Sequence, residues 1–266
     1  MAQTINTNVV SLNSQRHLST SQADLSRSIE RLSSGLRVNS ARDDAAGLAI
    51  AARMESQVRG SDVAMRNAND GISLAQTAEG ALNEVGNMLQ RMRELAVQSA
   101  NGTNSSGDRA NLDAEYQALD TEIERLATST EFNDVAILAA DVTTTFQIGA
   151  NKGDTLDINT KQVSKVTGDI KTVGGAETAL DAIDTAIDTI ASDRANLGAA
   201  SSNFSSAINN LQIMSENTSA ARGRIMDADF AVETANMTRA SIMQQAGTAM
   251  VAQANQLPNN VLSLLR

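Results

Sequence analysis

Residues 18–36 read LSTSQADLSRSIERLSSGL, and the spacing of their apolar side chains decides how the N-terminal segment folds. The side chains that recur at intervals of seven, or at the companion position between them, are Leu18, Leu25, Ile29, Leu32 and Leu36. In a helix this spacing forms one narrow apolar face, which is the pattern of a coiled coil. Such a face is stable only against another helix, so the N-terminal segment is predicted to pair.

The C-terminal segment carries apolar residues at the same interval. They are Met243, Met250, Leu257 and Leu264, and Val261 takes the companion position between the last two. Between Thr234 and Arg266 the only charged side chains are Arg239 and Arg266, and amides supply most of the polarity. A surface helix of a soluble monomer usually carries more charge, and a membrane helix carries fewer amides. The two ends are therefore predicted to form an assembly seam, with the opposite terminus, another copy of the chain, or both as the partner.

The composition favours slender helices over a thick core. The chain has 266 residues with no Cys or Trp, one His, one Tyr and four Phe, so burial must come from small and aliphatic side chains. Without cysteine there is no disulfide framework. The formal charge of -10 disfavours a nucleic-acid partner, because phosphate binding needs clustered Lys and Arg. No apolar run approaches the ~20 residues of a membrane span, so no membrane partner is predicted.

Periodicity and turn formers divide the chain into three helices, a small β element and two more helices. Helices are predicted at about 8–36, 43–100, 112–126, 180–211 and 234–266. Alternating runs around the turn Gly149–Gly153 predict a β-hairpin near 143–159. Pro258 is predicted to kink the last helix or to end it locally.

The predicted fold class is mainly α: a long coiled-coil or helical bundle with a small β-hairpin element and with the N- and C-terminal segments paired. Residues 1–42 together with 225–266 are predicted to form an inner terminal coiled-coil domain. Residues 43–224 are predicted to form an outer helical bundle domain that contains the hairpin.

The sequence contains no constellation that would support catalysis. His17 stands alone, without the His-Glu-x-x-His pattern of a zinc helix. One side of a predicted helix carries four carboxylates, and a solvated acidic face explains them better than a divalent cation does, because hard cations need oxygens from several directions. These residues are Asp181, Asp184, Asp188 and Asp193. No enzyme activity, catalytic residue, cofactor or metal site is predicted.

Four long blocks of the sequence resemble the bacterial flagellins, the subunits of the flagellar filament. The blocks are LSSGLRVNSARDDAAGLAI at 32–50, NANDGISLAQTAEGA at 67–81, QRMRELAVQSAN at 90–101 and AQANQLPNNVLSLLR at 252–266. Larger flagellins insert variable outer domains between the two halves. The interval from about 159 to 176 is too short to hold one, so the chain resembles a minimal flagellin.

The resemblance implies a structural subunit that self-polymerises into the filament used for swimming. It implies export of the unfolded chain through a narrow channel to the extracellular flagellum, followed by head-to-tail addition at the distal tip. The first residues lack the basic start and apolar centre of a cleavable signal peptide, which agrees with that route. The implied partners are other copies of the chain, an export chaperone, the filament cap and the hook–filament junction proteins.

Some flagellins are sensed by an animal Toll-like receptor, and the resemblance implies this receptor as a further partner. The matching contact positions are Arg91, Leu95, Gln98 and Glu115. The first three share a helical face, offset by one residue from the predicted core positions Leu89, Met92 and Ala96. Glu115 is predicted to reach this face from a neighbouring antiparallel helix. The face is predicted to be free for a partner, either the next subunit in the filament or the receptor.

Two alternative functions remain at this point. The hook–filament junction protein of the same organelle shares terminal helices with flagellin, but the uninterrupted match from Leu32 to Asn101 and the full C-terminal block favour the filament subunit. A soluble coiled-coil adaptor would explain the heptads but not the C-terminal segment that is nearly free of charge.

Overall fold

The computed structural model describes residues 7–263, and the side chains of residues 7–256. The elements are α1 (Val9–Ser34), α2 (Ala45–Ala100), α3 (Ser106–Ser129), β1 (Glu131–Phe132), β2 (Val135–Ala136), β3 (Val142–Gln147), β4 (Thr155–Thr160), α4 (Val173–Met226) and α5 (Phe230–Ser263). The strands form two antiparallel hairpins, β1 with β2 and β3 with β4. The predicted mainly α class and the predicted order of elements are confirmed.

Local side-chain chemistry sets the helix ends. Asn8 caps α1, since its side chain accepts the N–H of Ser11 at 3.1 Å. Gly35 ends the same helix in the left-handed conformation, with φ 72°, which glycine adopts without strain. The Asp44 carboxylate accepts the N–H of Gly47 at 2.8 Å in the first turn of α2, which satisfies a backbone donor that has no partner within the helix.

The described chain forms two compact units. The terminal unit consists of residues up to 56 together with residues from 217 onward, and the central unit consists of residues 57–216. The domain bounds predicted from the sequence, at 42/43 and 224/225, stay a prediction.

In the terminal unit, α1 packs along α5. A set of less exposed positions at steps of three and four runs along each helix, as expected of a coiled coil. On α1 they are Ser11, Ser14, Leu18, Ser21, Leu25, Ser28 and Leu32, and on α5 they are Glu233, Met237, Ala240, Gln244, Gly247, Val251 and Ala254. A Cβ added at Gly247 would lie 3.1 Å from Cδ1 of Leu18, so the two helices approach closely at this point. Half of these side chains are serine, alanine or glycine, and small side chains allow such an approach.

Two connections between long helices also pair within the terminal unit. Leu36 and Asp227 form an antiparallel bridge, and Ala228 donates its N–H to the Gly35 carbonyl at 2.9 Å. Beside this bridge lies a small cluster of buried side chains, with partly buried neighbours around it. The buried members are Val38, Ala51 and Met226, and the neighbours are Leu36, Leu48 and Ile225.

The helix α5 continues to Ser263, so the alternative that Pro258 ends the helix is wrong. The carbonyl left without a helical partner by the proline belongs to Ala254. It accepts a hydrogen bond from the Asn8 side chain at 2.7 Å.

The core of the central unit is built from α2, α3 and α4, and it is closed by the β3–β4 hairpin. Tyr116 and Phe204 are its largest fully buried side chains, and the ring of Phe146 on β3 meets Phe204 edge-on at 5.5 Å between centroids. The predicted hairpin is confirmed, with pairing from Val142 opposite Thr160 to Gln147 opposite Thr155.

An irregular segment, residues 161–172, connects β4 to α4 and is held in place by α3. The buried carboxylates Asp113 and Asp120 accept the N–H groups of Ile170 and Val166 at 3.0 and 2.9 Å. Between them Gln117 donates to the Gly168 carbonyl at 2.9 Å. Because the three side chains lie at steps of four and three, one face of α3 supplies the hydrogen bonds that a neighbouring strand would otherwise supply.

Candidate assembly and recognition surfaces

The predicted assembly seam divides into two groups. Leu18, Leu25 and Leu32 lie half-buried on the face of α1 that carries the buried serines, and Leu36 is half-buried beyond the helix end. The exposed members are Ile29 at 50%, Met243 at 54% and Met250 at 61%. Leu257 and Val261 lie in α5 without described side chains, and Leu264 lies outside the described residues. Met250 therefore lies off the face of α5 that pairs with α1, and Met243 lies at the edge of that face, where it borders a cleft with Ser21 and Ser28 of α1.

Sequence reasoning missed the side chains that do form this pairing face. Ala240, Gly247 and Ala254 are seven residues apart on α5, and all are buried or half-buried. Serines with the same spacing lie on α1. The heptad signal was present in the sequence, but small residues carry little weight in a search for large apolar side chains. The helix pair is consequently thin, and it leaves Ile242, Met243 and Met250 of α5 largely exposed.

The described part of the terminal unit exposes many large apolar side chains. They are Val9, Val10, Leu12, Ile29, Ile50, Phe230, Val232, Ile242, Met243 and Met250. Around Ile242 and Met243 they border a shallow groove along α5, which also contains Thr238 and Arg239. A continuous apolar groove on the surface of a soluble protein is typical of an interaction site.

One ion pair fixes the register of α1 against α5. The guanidinium of Arg31 lies 3.0 Å from the carboxylate of Glu233, and the Glu233 side chain is buried. Glu233 lies in the first turn of α5, where the helix dipole also favours a negative charge. A shifted register would leave this carboxylate buried without its cation, which costs far more than an exposed ion pair contributes.

The central unit contains the four positions matched to receptor contact. Arg91 on α2 binds Glu115 on α3 at 2.8 Å and Glu94 on its own helix at 2.9 Å. The hydrogen bond to Glu94, followed by the one to Glu115, raises the pKa of Arg91 above its ordinary value. The prediction that Glu115 reaches Arg91 from a neighbouring helix is confirmed. Gln98 is exposed two turns along α2.

Leu95 is placed differently from the prediction. It is 1% exposed and belongs to the core, so the expectation of a free apolar anchor at Leu95 is wrong. The reason is that α2 has neighbours on both flanks: Arg91 reaches α3, and Arg93 reaches Asp184 on α4 at 2.7 Å. A helix held between two others buries a wider stripe than one pair requires. The exposed apolar side chain beside Arg93 and Gln98 is Val97, at 51%.

The acidic face of α4 is partly neutralised. The hydrogen bond from Arg93 lowers the pKa of Asp184 below its ordinary value. Among residues 7–263, no group of three or more His, Cys, Asp or Glu side chains lies in an arrangement that could hold a metal ion. His17 lies exposed on α1. None of the helices in that range is both long enough and apolar enough to cross a bilayer.

Comparison with known proteins identifies the family. Residues 5–143 match the bacterial flagellin N-terminal helical region, and residues 180–265 match the bacterial flagellin C-terminal helical region. The chain belongs to the bacterial flagellin family. It is 46% identical to a flagellin of Halalkalibacterium halodurans, over 98% of this chain and 99% of that one. It is 44% identical to a flagellin of Xenorhabdus nematophila, over the full length of both.

A solved structure agrees with this assignment. The crystal structure of Bacillus cereus flagellin matches with a TM-score of 0.51 and 34% identity, over 55% of this chain and 88% of that chain. Flagellins are structural proteins, and this flagellin is a filament subunit of minimal form. The comparisons favour neither the hook–filament junction protein nor the soluble adaptor.

Proposed function

We propose that this flagellin polymerises by burying the exposed apolar side chains of α1 and α5 against the same helices of neighbouring copies. The observation that carries the proposal is the exposure of Met243 and Met250 on α5, since α1 leaves more than half of each side chain uncovered. Fully burying one such side chain contributes about 1.5–3 kcal/mol. Association costs ~4–15 kcal/mol, so one contact between two copies is marginal and contacts with several neighbours are needed. A helical polymer supplies them.

Met250 offers the direct test. Met250→Asp places a carboxylate on the proposed interface, where burial of an unpaired charge costs several kcal/mol. Sedimentation is expected to find no polymer, while circular dichroism still finds the helices of the central unit. Met250→Leu is the matched control, because it keeps volume and polarity, and it is expected to polymerise. Normal polymer from Met250→Asp would contradict this use of the α5 face.

The same assembly implies a location outside the cell. The subunit is proposed to travel unfolded through a narrow export channel, without a cleavable signal peptide, and to join the extracellular filament at its tip. Family membership and the absence of cysteine support this route. Mass spectrometry of shed filaments is expected to recover the N-terminal peptide at Met1 or Ala2. Recovery only of a chain that begins well beyond these residues would contradict it.

The export chaperone, the filament cap and the hook–filament junction proteins are proposed as partners of the same terminal unit. An apolar face that stays exposed until assembly needs a cover beforehand, which supports a dedicated chaperone. Affinity purification with the wild-type subunit as bait is expected to retain the chaperone. The Met250→Asp variant is expected to retain less of it, and equal retention would contradict a shared face.

The Arg91 surface is proposed to contact the next subunit in the filament and, in free monomer, an animal Toll-like receptor. The exposed pair of Arg91 with Glu115 offers a charged contact, Gln98 offers an amide, and Val97 replaces Leu95 as the apolar element. Contact with a subunit would hide the surface, so only monomer is expected to signal.

Receptor-bearing cells test this proposal. Arg91→Ala combined with Val97→Ala is expected to reduce activation by monomer, while the folded structure persists because both side chains are half exposed. Arg125→Ala is the matched control, since it removes another exposed arginine from the same unit. Unchanged activation by the double variant would contradict the receptor contact without affecting the assignment to the filament.

A further inference from the structure

Pro258 leaves a gap in the hydrogen bonding of α5. In an α-helix the N–H of residue 258 would bond to the carbonyl of residue 254, but a proline nitrogen carries no hydrogen. Ala254 is 3% exposed, so little water reaches the carbonyl that loses its partner. A buried carbonyl without a hydrogen bond is costly, and it must be paired by another group.

Asn8 supplies that group from the other end of the chain. Its Nδ2 donates to the Ala254 carbonyl at 2.7 Å, across 246 positions of sequence. Its Oδ1 accepts the N–H of Ser11 at 3.1 Å and so caps α1. Beside it, the Ser11 hydroxyl donates to Oδ1 of Asn255 at 2.7 Å. One amide side chain therefore completes both the start of α1 and the helix α5 at its proline.

We propose that Asn8 is a positioning residue that allows α5 to continue through Pro258, so that the end of α5 becomes ordered only when α1 is docked. The N-terminal and C-terminal helices then form as one unit rather than independently. The coupling lies within a single chain, and it does not depend on which surface meets a neighbouring copy.

A double-mutant cycle on the full chain tests the coupling. Asn8→Ser keeps an oxygen that can cap α1, but its side chain is too short to reach the Ala254 carbonyl. Pro258→Ala restores the N–H that this carbonyl lacks. Asn8→Ser is expected to lower the temperature of filament dissociation by a few degrees in the wild-type background and by less than half as much in the Pro258→Ala background. Amide exchange of residues 259–263 in filaments is expected to accelerate in Asn8→Ser and to return to the Pro258→Ala rate in the double variant.

Asn8→Ala separates the coupling from the cap. It removes both hydrogen bonds made by Asn8. Any further decrease in the temperature of filament dissociation, relative to Asn8→Ser, therefore reports the loss of the α1 cap, and it is expected both with Pro258 and with Pro258→Ala. The proposal would be overturned if Asn8→Ser lowered the temperature of filament dissociation equally with and without Pro258, or did not lower it at all. Where Asn8→Ser forms no filament, restoration of filaments by Pro258→Ala becomes the supporting result, and failure to restore them overturns it.

Discussion

The terminal and central units are both built from long helices with a three-four repeat, yet they bury different side chains. The central unit buries Leu82, Leu89, Tyr116 and Phe204 almost completely. Half of the positions on the pairing face of the terminal unit are serine, alanine or glycine, and many of the unit's large apolar side chains are exposed. Burial of large side chains is the main source of stability, so the central unit is equipped to fold in a single copy. In the proposed assembly, the terminal unit gains its missing burial in the polymer.

Amide exchange tests this difference where the expected effect is largest. In monomer, the amides of α1 and α5 are expected to exchange rapidly. Ordering the backbone costs ~1–2 kcal/mol per residue, and the side-chain burial within the thin helix pair offsets little of that cost. The buried positions of α2, α3 and α4 are expected to be protected. In filaments both sets are expected to be protected. Strong protection of residues 18–36 and 243–256 in monomer would contradict the comparison.

Leu95→Ala tests the burial that distinguishes the central unit. Removing a leucine that is 1% exposed is expected to cost about 2–5 kcal/mol and to lower the thermal midpoint of monomer unfolding. Val97→Ala, two positions along the same helix, is the control. Its side chain is half exposed, so a change within about 0.5 kcal/mol is expected. Similar decreases in stability for the two substitutions would mean that Leu95 is no more buried than Val97.

Leu95 also illustrates what the sequence can and cannot predict. The three-four repeat predicted the helices and the core positions Leu89, Met92 and Ala96, because periodicity records one buried face. It cannot record how many neighbours a helix has, and α2 has two flanking helices that widen its buried stripe across Leu95. The hydrogen bond between Asn8 and Ala254 could not be predicted from the sequence either, because no periodic signal connects residues that are 246 positions apart.

Two glycines on α2 test how tightly the central core is packed. A Cβ at Gly71 would lie 2.8 Å from the ring of Phe204, which is buried against Phe146 and has little room to move. Gly71→Ala is expected to destabilise the unit by about 1–3 kcal/mol. A Cβ at Gly80 meets no atom within 4 Å, so Gly80→Ala is expected to stabilise the helix by up to ~1 kcal/mol. Denaturant midpoints of the two variants are expected to shift in opposite directions, and a shift in the same direction would contradict tight packing at Gly71.

The smallest expected effect is a change in the stability of the central unit at high pH, and it involves Tyr116. Burial, followed by the charges of Asp120 and Asp113, raises the pKa of Tyr116 to about 12. In the unfolded chain the phenol ionises near its ordinary pKa of about 10. The folded state therefore holds the proton more tightly, and the resulting stability is fully present below pH ~10 and is lost as the pH rises towards 12. Tyr116→Phe carries no such proton, so its unfolding midpoint is expected to fall less steeply over this range.

The same variant has a defined result at neutral pH. The Tyr116 hydroxyl is buried and has no hydrogen-bond partner among residues 7–256, so its loss is expected to leave stability unchanged or to raise it by up to about 1 kcal/mol. A decrease at neutral pH would reveal a partner for the hydroxyl, such as a bound water. Parallel pH profiles for the two proteins would mean that the phenol ionises equally easily in the folded and unfolded chains. The central core would then admit water at Tyr116, and its contrast with the terminal unit would be weaker than the burial of its side chains indicates.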